Sequence, residues 1–294
     1  MKSLFLILAL TGAILAQQPE APTKEVPRSA PAESLDLLDA DLSHWNIWMG
    51  VPHKTVELPG QSANTNEDGK AKSPLGLNND PLKVFSMITE EEQAVLKVTG
   101  QIYAGLTTKE EFENYHLTLQ FKWGEQKWEP RLEKQRDSGL LLHCVGPHGA
   151  FWNAWKRCLE CQIQEKDVGD FYALAGTAAD IPSIIPKDGK KPVYQPGAPL
   201  RTVSTSAQHG TSKEMPRGEW NTVEIYTLED QMVHVVNGQI NMVLFNTRQK
   251  TAHGEAPLTK GQIQIQSEGA EIYYRKMKLT PITEFPAKIK AAIK

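Results

Sequence analysis

Apolar and polar residues alternate with period two in nine short runs: 94 to 99, 115 to 123, 139 to 145, 158 to 164, 221 to 227, 232 to 236, 240 to 245, 262 to 266 and 272 to 279. That period puts successive side chains on opposite faces of a strand, so each run predicts a half-buried β-strand. Gly, Asn, Asp and Pro punctuate the runs as turn residues do. Asn237-Gly238 separates two of them and predicts a two-residue hairpin, because both central positions of a type I′ turn need positive φ. Helical periodicity is confined to Thr89 to Gln93, Thr108 to Asn114 and a basic stretch from Pro286 to Lys294. A parallel sheet needs helices on its faces, which these cannot supply. The pattern therefore predicts an all-β fold, a two-sheet antiparallel sandwich of jelly-roll type. Pro52 to Leu82 and Thr177 to Ser212 have loop composition, and long loops on a rigid sandwich carry binding surfaces.

The first residues break this pattern. Lys2 precedes the apolar run Leu4 to Leu10, and Ala16 offers a small side chain before Gln17, which together predict an export signal over 1–16. The run is too short for the ~30 Å core of a bilayer, so stable membrane insertion after processing is not expected. Residues 17–34 carry Pro19, Pro22, Pro27 and Pro31 among polar residues and predict a disordered tether. The organisation expected is a signal (1–16), a linker (17–34), one β-sandwich domain (35–283) and a short tail (284–294), in a protein delivered to the periplasm or secreted. A net charge of -3, from 32 basic and 35 acidic residues, supplies no field for nucleic acid. Three cysteines do not make a disulfide-stapled scaffold. After export Cys144 has Cys158 or Cys161 as a bridging partner, the alternative being buried free thiols.

Candidate chemistry concentrates in two runs. Along Cys158 to Gln164, alternation sets Glu160, Gln162 and Gln164 on one face against Leu159, Cys161 and Ile163 on the other. Glu160, Gln162 and Glu165 form E-x-Q-x-x-E, close to the E-x-D-x-x-E strand of laminarinase and lichenase-type sandwich glycosidases. Gln162 stands where those have an Asp, and an amide cannot share a proton with the flanking carboxylates. In the second run, Lys122-Trp123-Gly124 and Pro130-Arg131 lead to Arg136-Asp137-Ser138-Gly139, with Gly139, Leu141 and His143 expected on one face unless a bulge shifts the register. A carboxylate beside His143 would make a proton-transfer pair with Glu160. No histidine spacing marks a metal. Cys158 and Cys161 share a C-x-x-C but point to opposite faces of a strand, so they cannot chelate together. Asp137, Asp167 and Asp170 are the candidates for a bound Ca²⁺ or Mn²⁺, since hard cations need only oxygen ligands. Trp45 and Trp220 are assigned to the core. Trp152 and Trp155, in a polar loop, are the candidates for stacking on a sugar.

The ordered set of segments resembles a known family. Leu42-Ser43-His44-Trp45, Phe121-Lys122-Trp123-Gly124, Arg136-Asp137-Ser138-Gly139 through His143, Glu160-Cys161-Gln162-Ile163-Gln164-Glu165 and Gly169-Asp170-Phe171 come first. Gly218-Glu219-Trp220-Asn221, Gln264 through Glu271, and Tyr274-Arg275 complete it. Together they are similar to the 3-keto-disaccharide hydrolases, also described as 3-keto-glucoside 1,2-lyases and 3-keto-2-hydroxy-glucal hydratases. The resemblance implies a concanavalin A-like sandwich that acts on a small carbohydrate whose C3 hydroxyl has become a ketone, with no redox cofactor of its own. By residue type, His143 or Glu160 would then be the base, and Lys122, Arg136 or a divalent cation would steady the enediolate. Asp137, Gln162, Glu165, Gln266 and Glu268, with Trp152 and Trp155, would hold the substrate. A non-catalytic carbohydrate-binding sandwich and a retaining glycosidase using Glu160 and Glu165 are the competing readings.

Overall fold

Two antiparallel sheets face one another across a single apolar core. The computed structural model describes residues 33–60, 73–187, 189 and 191–293. The expected signal and most of the expected linker lie outside them. The main ladder of the nine-stranded sheet runs Ser206–Ala207, Phe171–Leu174, Arg157–Gln164, Asp137–Val145, Lys260–Ser267, Ala104–Thr108, Trp45–Met49, Gly76–Leu77. The main ladder of the twelve-stranded sheet begins Val193–Tyr194, Thr177–Ile184, Gln239–Thr251, Gln231–Val236 and Asn221–Leu228. It continues with Tyr115–Lys127, Ala270–Pro281, Gln93–Val98 and Phe85–Glu90. Three of these four ladder ends are strands of two residues.

Alternation decides what each sheet buries. Leu117, Leu119 and Phe121 point from one sheet to the core, where Leu140, Leu159 and Ile163 meet them from the other. The Asn237-Gly238 hairpin forms, with φ of 46° and 76° and Val236 paired to Gln239.

Several expectations fail for local reasons. Thr89 to Gln93 is the tip of a hairpin whose turn residues Glu91 and Glu92 sit at positive φ, and Thr108 to Asn114 holds the two-residue strand Phe112–Glu113. Thr177 to Ser212 is no open loop. Its strand Thr177–Ile184 has period two, Ala179, Ile181 and Ser183 inward, but small residues and Pro182 mute the pattern. The helix Ala287–Ala292 lies within the basic tail. Trp45 is in the core and donates to the Leu37 carbonyl at 2.6 Å. Trp220 is not in the core: it packs under Arg275 (3.9 Å) and Lys122 (4.8 Å), cations that alternate with core-facing Tyr274 and Phe121. Among the described residues no helix is long and apolar enough to cross a membrane.

Candidate active site

The nine-stranded sheet turns its second face to a cavity of about 520 Å³. Direct pairing of Glu160 with Leu141, Gln162 with Gly139 and Gln164 with Asp137 places these residues on one surface, and Tyr172 joins it opposite Glu160. Gln266 reaches the same surface from the next strand. A glycine makes room for this floor. A Cβ on Gly139 would lie 2.3 Å from Glu160 Oε1 and 2.5 Å from Gln266 Oε1, so a carboxyl and an amide lie where any other residue would put its side chain. Gly105 likewise clears space for Gln264.

Three acidic side chains converge there. Arg131 bridges the carboxylates of Asp137 and Glu268, and its Nε donates to the Tyr103 hydroxyl at 3.4 Å. Gln164 Nε2 donates to Asp137 at 2.5 Å. Burial pushes Asp137 and Glu268 above the ordinary carboxylate range, while the Arg131 charge works against the rise. Glu160 has no such cation. Burial, then the charges of Glu268 and Asp137, hold its carboxyl well above the ordinary range, and only the Gln266 amide opposes them. Burial thus favours the protonated acid at Glu160, while the Arg131 charge favours the ionised form of Asp137 and Glu268. Asp137 Oδ1, Glu160 Oε1 and Gln266 Oε1 are buried without a protein partner. Three acceptors left open on one floor are available to a ligand.

The other end of the cavity is apolar. Phe151 stacks on Trp152 and on Trp155, Leu174 packs in the same cluster as Trp155, and Tyr172 stands beside Glu160. Trp155 is buried and donates to the Ala104 carbonyl at 3.1 Å, so it forms wall, whereas Trp152 is exposed.

Of the residues singled out in the sequence, Asp137, Glu160, Gln162, Gln266, Glu268, Trp152 and Trp155 meet at this cavity. Four others lie elsewhere. His143 sits at a bulge with φ 50°, which turns it to the core beside Leu142; there it meets the Tyr115 ring and the Leu258 carbonyl, and Cys144 takes the cavity side. Burial lowers its pKa to about 4, leaving it neutral. It therefore shares no face with Glu160. Lys122 belongs to the other sheet, on the face away from the core, paired with Glu90 at 2.6 Å. Arg136 is spent on the carbonyls of Gly124 and Glu125 and on Glu165 at 2.9 Å. Glu165 follows the end of its strand and faces Arg136, not Glu160, which removes the retaining pair Glu160/Glu165.

The cation of the site is Arg131, named in the sequence only as part of a basic and aromatic stretch. A glycine marks its path: a Cβ on Gly269 would touch the Arg131 stem at 2.7 Å. Gln164, Phe151 and Tyr172 also join the lining. The oxygens proposed for Ca²⁺ or Mn²⁺ are divided, Asp137 held by Arg131 and Asp170 by His209. Among the described residues no three His, Cys, Asp or Glu side chains are grouped to hold a metal. Cys144, Cys158 and Cys161 are free and buried.

The family model described as 3-keto-alpha-glucoside-1,2-lyase-like domain matches residues 35–280. Among curated proteins no match is found. A solved structure from Parabacteroides distasonis ATCC 8503, provisionally named a glycosyl hydrolase, is 19% identical over 70% of this chain and 93% of its own, with a TM-score of 0.41. The carbohydrate binding module CBM66 from Bacillus subtilis is 7% identical over 66% and 91%, with a TM-score of 0.39. A Bacillus subtilis protein of unknown function with a galectin-like fold is 11% identical over 67% and 86%, at 0.38.

Proposed function

We propose a function from one premise: the chain belongs to the 3-keto-alpha-glucoside-1,2-lyase-like domain family. Within that carbohydrate-active family, the reading is an exported enzyme that cleaves 3-keto-glycosides by elimination across C1 and C2. The observation that carries it is the arrangement of the cavity floor: a buried Glu160, its carboxyl shifted toward the protonated form, shares it with an Arg131-bound carboxylate pair, Asp137 and Glu268.

A ketone at C3 acidifies the C2 hydrogen. The ionised member of the Asp137/Glu268 pair takes that proton, and the C–H electrons form an enediolate. Arg131, already fixed beside the pair, faces the negative charge that develops, which is the preorganised arrangement transition states reward. The enediolate electrons then form the C1–C2 double bond and break the C1–O bond, while Glu160 gives its proton to the departing oxygen. Solvent returns one proton to Glu160 and removes one from the pair. Run in the other direction with water as the nucleophile, the same groups add water to the resulting 2-hydroxy-glucal, and the two halves sum to hydrolysis. Gln162, Gln164 and Gln266 orient the sugar hydroxyls without titrating.

The chemistry needs no oxidant in the site, because the ketone arrives with the substrate. A test pairs a glycoside with its 3-keto form. The enzyme is expected to consume only the keto sugar, and Glu160→Gln and Glu268→Gln each to slow it by at least about 10²-fold. Turnover of the parent glycoside, or binding of both sugars with turnover of neither, would overturn this reading.

A further inference from the structure

We propose that the aromatic end of the cavity is the aglycone subsite and that the ring it takes is aromatic rather than a second sugar. The inference rests on the 3-keto-glycoside reading and extends it to the substrate class. With the reacting carbons fixed over Glu160 and the Asp137/Glu268 pair, a substituent on C1 has the remaining length of the cavity to occupy. Its 520 Å³ lies within the ~300–1,000 Å³ of small-molecule sites.

The two ends offer different chemistry. The carboxyl end supplies Arg131, two acidic partners and three amides. The aromatic group supplies the rings of Phe151, Trp152 and Trp155, with Leu174 in the same cluster as Trp155, while Tyr172 stands beside Glu160, its cross-strand partner, and the remaining polar side chains are the hydroxyls of Ser204, Thr205 and Ser206. A hexose aglycone would find there three hydroxyl side chains and no charged or amide partner for its own hydroxyls. A flat apolar ring has no such requirement, and it matches the offset stacking that aromatic pairs prefer.

Trp152 is the residue built for contact. It is 65% exposed, the most exposed of the large hydrophobic side chains described. Two neighbouring rings nevertheless hold this one in place. Phe151 stacks against it at 4.9 Å and 20°, and Trp155 lies 5.7 Å away at 45°. The turn that carries it is tied by the amides of Ala154 and Trp155 to the Phe151 carbonyl, both at 3.0 Å. Trp152 and Asn153 both hold positive φ, 51° and 59°, a conformation bulky side chains avoid. That turn presents the indole at the mouth of the cavity, a placement that suits a ligand platform.

The test measures dissociation constants by calorimetry for methyl 3-keto-glucoside, phenyl 3-keto-glucoside and a 3-keto-disaccharide, in both anomers, on the Glu160→Gln protein. The phenyl glycoside is expected to bind at least tenfold tighter than the methyl. Adding Trp152→Ala should erase most of that gap by weakening the phenyl glycoside far more than the methyl. In the wild-type enzyme the same substitution should raise KM for the phenyl substrate with kcat held. A disaccharide that binds as tightly as the phenyl glycoside, or a gap that survives Trp152→Ala, overturns the aglycone assignment while the 3-keto reading stands. Binding of none of the three sugars removes both.

Discussion

Gly139→Ala is the sharpest probe of the cavity floor. The added methyl would lie 2.3 Å from Glu160 Oε1 and 2.5 Å from Gln266 Oε1, where ordinary contact begins at 3.4 Å. Both side chains must therefore retreat by about 1 Å. Gly139 does not hold a left-handed φ, so alanine meets no backbone penalty and the whole effect comes from the collision. Glu160 and Gln266 are 3% and 1% exposed, but the clashing atoms are the ends of flexible side chains on the cavity floor and can swing into it. The cost therefore falls at the low end of the about 1–3 kcal/mol of overpacking. For a domain of this size each kcal/mol lowers Tm by about 2–4 °C, so a fall of a few degrees is expected in a calorimetric scan. Activity should suffer more, since a misplacement of ~1 Å in a reacting group is worth about 10²-fold in rate. The measurement is kcat/KM on a 3-keto-glycoside beside Tm for the same preparation. An alanine variant that melts with the wild type and keeps half its rate would refute both the packing argument and the role of Glu160.

Glu160 also sets a pH limb. It donates only while protonated, so kcat/KM should fall as pH rises through its raised folded pKa, and Glu160→Gln should remove that limb from the profile along with most of the rate. Stability follows the same sign: the contribution is fully present below about 4.5, the unfolded value, and is lost as pH rises toward the folded one, a slope that chemical denaturation of Glu160→Gln should show flattened. His143 and His234 act oppositely. Burial lowers both from 6.5 to about 4, so their contribution is present above pH 6.5 and lost as pH falls through 4, and His143→Leu should reduce that acid sensitivity in a urea titration between pH 4 and 7. Arg131→Met leaves Asp137 and Glu268 buried without their cation and should destabilise by about 3–5 kcal/mol, read as a shifted denaturation midpoint. Lys122→Met breaks the pair with Glu90 and the cation contacts with Trp220 and Tyr273, all on the face away from the core, and turnover should stay within twofold of wild type with a stability change of about 1 kcal/mol.

What the sequence reveals of this molecule is what period two can carry. Leu159, Cys161 and Ile163 face inward and Glu160, Gln162 and Gln164 face the cavity because an unbroken strand leaves no other choice. Alternation also explains why Lys122 had to leave the site: its neighbours Phe121 and Trp123 fill the core, so its own side chain points the other way. The reasoning breaks where a strand does. One residue at positive φ moves His143 from the cavity to the core, and nothing in Leu-Leu-Leu-His-Cys announces it. Glu165 keeps the spacing of a catalytic motif but follows the last residue of its strand, where spacing no longer maps to a face. Arg131 is 137 residues from Glu268, and no local pattern reports a contact that only closure of the sandwich creates.

The short ends of the two ladders bear on how the protein behaves when concentrated. A terminal strand of two residues, as at Gly76–Leu77, Val193–Tyr194 and Ser206–Ala207, gives an incoming chain almost no ladder to extend. Phe85–Glu90 is the long end of the two main ladders, and its last residue is an acidic side chain tethered to Lys122. Strand addition is thus discouraged at three of the four ladder ends, and among the described residues Leu200–Val203 and Gly254–Pro257 are the other strands longer than two residues that pair on one side only.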